Sequence, residues 1–216
     1  MPLGIELPYL SGKSPGRAEP VLGDERQQYV DMLHGPAYAA AKRGRLFVAT
    51  TLQAGIALIV SATTGNHPTL WNPAGSGRNL SILKLDLTWL SGNNAPTGLE
   101  WDMTTNTGSA PAATAAVIPT FTRVAVQSAL LGGPVDSVAW WAPAGCTFTA
   151  APAFYRGVGI SLFTGIGTTA VAPFSLGVEY DGELNIAPGN ALSLCSRAAT
   201  TTALFQVSVV FEEIDI

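Results

Sequence analysis

The stretch Trp71–Leu83 reads WNPAGSGRNLSIL and places Gly75, Ser76 and Gly77 directly before Arg78. Small flexible residues beside a cation are the material of a phosphate-binding loop. Such a loop needs a helix N-terminus behind its glycines, where free backbone N–H groups and the helix dipole meet the anion. The next segment here is LSILKLDLTWL, whose apolar residues recur every second position, and the Lys-Ser/Thr order of a nucleotide loop is absent. Asn72-Pro73 opens a turn, and Gly75 and Gly77 permit positive φ. The stretch therefore reads as a long hairpin or corner loop, with Arg78 paired across an interface or in solvent.

The other chemically capable residues are scattered. His34 closes a short helical pattern, where the helix dipole favours a cation. His67 lies in the loop TTGNHP. Neither has a nucleophile or carboxylate in a recognisable catalytic motif, and no G-x-S-x-G or H-E-x-x-H occurs. Glu100 and Asp102 flank Trp101 at i, i+2 on one strand. They could bind a cation or do acid–base work, but the simpler reading is the solvated face of an edge strand. Glu179, Asp181 and Glu183 in VEYDGEL do not have the spacing of an EF-hand loop; Asp181-Gly182 reads as a type I′ hairpin turn. Cys146 and Cys195 are too few and too far apart for a metal knuckle. Two buried free thiols are expected, with a disulfide between neighbouring strands as the alternative. Trp140 and Trp141 are adjacent, so in a strand one points in and the other out. The outward one could stack on a sugar or fill a subunit interface, and the interface is preferred. No catalytic residue, metal site or cofactor site is expected.

These residues must be positioned by a chain with an uneven charge distribution. Charged residues make up 12% of the 216 positions, about half the usual share. Of the 26 charged side chains, 11 lie in residues 1–45, and the remaining 171 residues carry 10 acidic and 5 basic ones. A body this poor in charge suggests that much of its surface meets other protein. It has no basic stripe to neutralise phosphates, so nucleic acid is not an expected partner. The N-terminus MPLGIELPYL lacks a basic segment followed by a long apolar run, so no secretory signal is expected. No apolar stretch is long enough to span a bilayer as a helix, so no membrane partner is expected.

Three zones succeed one another along the chain. Residues 1–23 hold four prolines and four glycines, which exclude a regular helix or a central strand. This is an extended arm, with Ile5, Leu7, Tyr9 and Leu10 as apolar anchors for a partner. DERQQYVDMLHGP predicts a helix at about 24–34, started by a loose capping box and stopped by Gly35-Pro36. A weaker helical turn covers Ala37–Lys42, and Lys42, Arg43 and Arg45 close the arm at residue 45. From Leu46 to Ile216 the pattern is one of strands: 46–51, 55–61, 80–90, 98–103, 116–126, 137–142, 154–163, 174–180, 183–187, 191–196 and 204–213. With no long helix between them, these argue for an all-β fold: an antiparallel β-sandwich of jelly-roll type, with an extended N-terminal arm and one short helix.

The order of segments resembles a known group. A Pro/Gly-rich arm, a short helix, the basic lead-in RGRLF, WNPAGSGRNLSILKL and the closing YDGELNIAPGNALSLCS…FQVSVVFEE are similar to small structural proteins of tailed-bacteriophage virions. The resemblance covers most of the body and implies a jelly-roll-like sandwich, often trimeric, acting as a capsid cement or decoration protein. The expected partners are then further copies of the chain, as a homotrimer, and the major capsid protein. Lys42, Arg43 and Arg45 would meet an acidic capsid surface. The expected location is the capsid exterior of the virion, after synthesis in the host bacterial cytoplasm. A tail, baseplate or fibre component is the nearest alternative. A carbohydrate-binding module using Trp89, Trp101, Trp140 and Trp141 is a further one. The resemblance carries over no catalytic residues.

Overall fold

Strict alternation is clearest near the C-terminus, and that strand organises the fold. In the computed structural model, β10 (Leu204–Asp215) buries Phe205, Val207, Val209, Phe211 and Glu213 and leaves the intervening residues half-exposed, as a strand with one core face must. The structure describes residues 37–58, 60, 67–92, 97–105, 126–133, 136–146, 152–162, 175–197 and 203–216. Nearly all of these belong to one compact unit, Ala39–Ile216. The helix expected at 24–34 and the arm anchors Ile5, Leu7, Tyr9 and Leu10 lie outside the described residues.

The described elements are a short helix, α1 (Tyr38–Lys42), and ten strands: β1 (Leu46–Thr50), β2 (His67–Asn72), β3 (Arg78–Ser91), β4 (Thr97–Thr105), β5 (Val126–Ser128), β6 (Trp140–Cys146), β7 (Ala153–Leu162), β8 (Ser175–Ile186), β9 (Asn190–Ser196) and β10. One sheet runs β5-β1-β10-β3-β8 and the other β6-β2-β9-β4-β7. All ladders between these strands are antiparallel. The pairing is nested: β10 lies beside β1, β9 beside β2, β8 beside β3 and β7 beside β4, while β1 to β4 alternate between the sheets. This is the jelly-roll connection. The remaining strands, β5 and β6, each widen one sheet beyond β1 or β2.

The core lies between the sheets. Phe47, Leu80, Ile82, Leu85, Leu87, Val207, Val209 and Phe211 come from the first sheet, and Leu70, Leu99, Trp101, Trp141, Leu192 and Leu194 from the second. Two buried indoles tie the layers together. Trp101 Nε1 donates to the Tyr180 hydroxyl at 2.6 Å, and Trp141 Nε1 donates to the Thr50 carbonyl at 2.8 Å. A buried tryptophan contributes a large apolar area but needs such a partner for its N–H. Asn72 closes the end of the sandwich by donating from Nδ2 to the carbonyls of Arg78 (2.7 Å) and Ile186 (2.8 Å).

Several expectations change on contact with the structure. The segment HPTLWN, read from sequence as loop and turn, is the inner strand β2. Pro68 sits where the ladder to β6 shifts register between His67 and Thr69, so its missing N–H is tolerated at an irregularity. Of the segment 55–61, read as a strand, the described residues make isolated bridges, Ile56 to Phe205 and Val60 to Ser196. The two strands read at 174–180 and 183–187 are the single strand β8. Asp181 and Gly182 do take positive φ, 44° and 84°, as a type I′ turn requires. The chain does not reverse, however. Residues 180–183 bulge out between the pairs Lys84–Glu179 and Ile82–Leu184, and Asn185 Nδ2 holds the bulge through the Gly182 carbonyl at 2.7 Å.

Candidate functional site

The glycine loop is a turn. Residues Pro73–Gly77 connect β2 to β3, the Ser76 N–H returns to the Pro73 carbonyl at 3.1 Å, and Gly75 and Gly77 have φ of 77° and 70°. Behind it stands a strand, not a helix. Arg78 stays about a third exposed, and its guanidinium is engaged within its own chain. It donates from Nη1 to Glu213 Oε2 at 2.5 Å and lies 3.3 Å from Asp215 through Nε. Glu213 is fully buried and also accepts from the Ser137 hydroxyl at 2.7 Å and the Val138 N–H at 2.8 Å. Asp215 in turn holds Arg45 at 2.5 Å. The Arg45 hydrogen bond is the main reason that the Asp215 carboxyl sits below its ordinary range, and the bond to Glu213 is the main reason that Arg78 is raised. The arrangement fixes the chain at Arg45, the residue expected to end the arm.

A second polar group gathers on the outer face of the second sheet, and sequence reasoning did not find it. There Thr69 and Ser193 share a hydrogen bond of 2.8 Å, and Cys195 Sγ lies 3.0 Å from His67 Nδ1. Glu100 stands opposite Cys195 on the neighbouring strand, and Asp102 opposite Ser193. His67, Thr69, Asp102, Ser193 and Cys195 are all fully buried. Glu100 and Asp102 are therefore not the wet face of an edge strand: β4 is an inner strand between β9 and β7. Glu100 accepts from Arg197 Nε at 3.1 Å, and the Arg197 guanidinium lies over the Phe154 ring at 5.9 Å. Neither carboxylate oxygen of Asp102 has a hydrogen bond of good geometry. Burial is the main reason that its carboxyl is pushed up to about 6. The Cys195 thiol beside it opposes this in part, and the Glu100 charge adds a smaller upward push.

A cysteine 3.0 Å from a histidine with a carboxylate alongside suggests a nucleophile. The electrostatics point the other way. A reactive thiol needs an electropositive, partly exposed setting. Burial, followed by the Asp102 and Glu100 charges, pushes the Cys195 thiol far up, so it remains protonated. What the cluster can do is take up a proton at Asp102. Cys195 is a free thiol, as expected, and the alternative of a disulfide is not realised. Among the described residues no three His, Cys, Asp or Glu side chains are grouped to hold a metal ion. No helix among them is long and apolar enough to cross a membrane.

The sequence-derived contact residues part company. Trp141 cannot be a surface contact, because it is wholly buried in the core. Trp140 points to the opposite face, half-buried, with its ring 6.0 Å from Trp71. Arg45 is engaged within its own chain by Asp215. Lys42, the last residue of α1, and Arg43 after it are exposed. The described aromatics most open to solvent are Phe154, Tyr155 and Tyr38, none of which was singled out from sequence. Compared with protein-family models, curated proteins and solved structures, the chain finds no match.

Proposed function

We propose that this chain is a non-enzymatic structural protein of a bacteriophage virion, a capsid cement or decoration protein that assembles as a homotrimer and bridges capsid subunits from outside the shell. One observation carries the reading. The jelly-roll body uses its strongest polar groups internally (Glu213 on Arg78, Glu100 on Arg197, a protonated Cys195), while nearly half of all charged side chains lie in the first 45 residues. A rigid body with bland faces suits symmetric association, because each copy can present the same patch to its neighbours. Exposed Lys42 and Arg43 suit contact with an acidic shell surface. The sugar-binding alternative loses support, since two of its four tryptophans, Trp101 and Trp141, are in the core.

The test is the copy number of the chain in purified virions by quantitative mass spectrometry. On the order of hundreds of copies per particle fits a shell protein following capsid symmetry. A handful to a few dozen would move the protein to the tail, baseplate or fibre. Absence from particles would end the virion reading.

A further inference from the structure

One end of the core is unfilled. Met103, Tyr155, Leu184, Asn185, Ile186 and Leu192 are among the residues lining a cavity of about 170 Å³, whose mouth lies at the exposed Tyr155, Asn185 and Ala187. Leu184, Ile186 and Leu192 belong to the core, so the cup continues the space between the sheets out to the edge strand β8. It is well below the size of a cofactor pocket. Its volume is close to the roughly 150 Å³ of apolar cavities that take a benzene-sized group, so a single leucine side chain fits.

The opposite edge of the first sheet presents such a side chain. After β5 the chain turns through residues 129–133, and Leu131 stands at the tip, 92% exposed, with Leu130 exposed beside it. The turn is firmly held. The Ala129 N–H donates to the Leu46 carbonyl at 2.9 Å, the Leu130 N–H to the Ser128 hydroxyl at 3.2 Å and the Gly133 N–H to the Leu130 carbonyl at 2.8 Å. Gly132 has φ of 80°, as the third residue of a type II turn requires. Leu131 is therefore an apolar knob on a fixed support, at a place where turns ordinarily carry polar residues.

The register puts knob and cup at one level. Ala129 bonds to Leu46, which pairs with Glu212; Glu212 pairs with Ser81, and Ser81 with Asn185 at the cup. Four strand spacings give about 19 Å between them across the sheet, with no offset along the strands. A contact between two unlike patches repeats by rotation, and without an offset along the axis it closes a ring instead of growing a filament. The charges complement as well. Lys42 and Arg43 are exposed just before β1, against which the knob turn is bonded, and Glu179, Asp181 and Glu183 are exposed along β8 beside the cup. Among the described residues Lys42, Arg43 and Asp181 have no ion-pair partner. Asp181 needs only one of the two cations, which leaves the other for the shell. Asp136, exposed a few residues after the knob, is likewise opposite in sign to Arg156 on the cup side.

We propose that Leu131 of one copy fills the cup of the next, edge to edge, and that repetition of this contact closes the homotrimer. The proposal rests on the self-association part of the proposed function and not on the shell.

The test uses full-length chains. Leu131→Cys and Ala187→Cys are placed on one polypeptide, which is oxidised, run on a non-reducing gel and mapped by mass spectrometry. About 19 Å within a chain is too far for a disulfide, so a bond between positions 131 and 187 joins two copies. A ladder of 131–187 bonds that ends at three chains is the expected result. In parallel, Leu131→Asp, a change at an exposed turn, should reduce the mass by light scattering from three chains to one. Linkage without 131–187 bonds, a ladder that runs on past three chains, or a trimer that survives Leu131→Asp would overturn the proposal. A surviving trimer would leave self-association standing, whereas a native chain that is monomeric at every concentration would overturn both.

Discussion

Asp102 offers the sharpest test of the buried outer face of the second sheet. Its carboxyl is pushed from 3.8 up to about 6, chiefly by burial. Between those values the folded chain holds a proton that the unfolded chain has lost. Stability from this group is therefore fully present below about pH 3.8 and is lost as pH rises through 6. The shift is about 2 units, so the full loss approaches ~3 kcal/mol well above pH 6. Between pH 5 and pH 7 the same linkage gives a loss of about 1 kcal/mol. Asp102→Asn keeps the shape of the protonated acid and cannot ionise. Urea unfolding at pH 5 and pH 7, followed by tryptophan fluorescence, should show the native chain losing about 1 kcal/mol more than the variant over that interval. Groups away from this cluster titrate alike in both proteins, so the difference in slope isolates Asp102 and the neighbours coupled to it. Equal slopes would refute the reasoning and mean that the carboxylate is solvated or paired in solution.

Three further outcomes rest on the same structure. Glu213→Ala leaves the Ser137 hydroxyl and the Val138 N–H without their acceptor and Arg78 with Asp215 alone, and should cost about 3 kcal/mol in chemical denaturation; a change below about 0.5 kcal/mol would show that the buried carboxylate is not organising that end. Cys195 should resist iodoacetamide in the native protein at neutral pH and react once unfolded, as mass spectrometry of its peptide would read, because the thiol is buried and protonated; rapid native labelling would reopen the nucleophile reading. Gly55 has φ of 72°, and a Cβ there would come within 3.0 Å of the Phe205 carbonyl oxygen and 2.7 Å of Leu90 Cδ1. Gly55→Ala should therefore lower stability by about 2 kcal/mol, measured by thermal unfolding, and an unchanged midpoint would contradict the strain.

The fold was legible where one face of a strand is buried and the other is wet. Phe205 to Phe211 announces its own strand, and the absence of long helices between the short apolar runs leaves a sandwich as the simple solution. Legibility failed where both faces are covered. β2 is buried at all six positions, from His67 to Asn72, so it shows no alternation, and Pro68 disguises it further. The same cause hid the polar cluster. Glu100 and Asp102 alternate with Leu99, Trp101 and Met103 as surface residues would, and nothing local says that their face is covered. The proximity of His67 to Cys195 joins residues 128 positions apart, which only the nested pairing of β2 with β9 brings together. Asp181-Gly182 carried a correct local signal, positive φ at both residues, whose consequence was decided by the ladder to β3: a bulge, not a reversal. At Arg78, where the loop suggested solvent or an interface, a partly exposed side chain also makes a long-range ion pair with Glu213 that no local signal announces.

The most direct test of the central claim is the solution mass of the full-length protein by light scattering across a range of concentrations. A symmetric shell protein of the kind proposed should give about 67 kDa, three times the 22.4 kDa chain. A constant 22.4 kDa at every concentration would contradict it, since the charge-poor body would then face water alone.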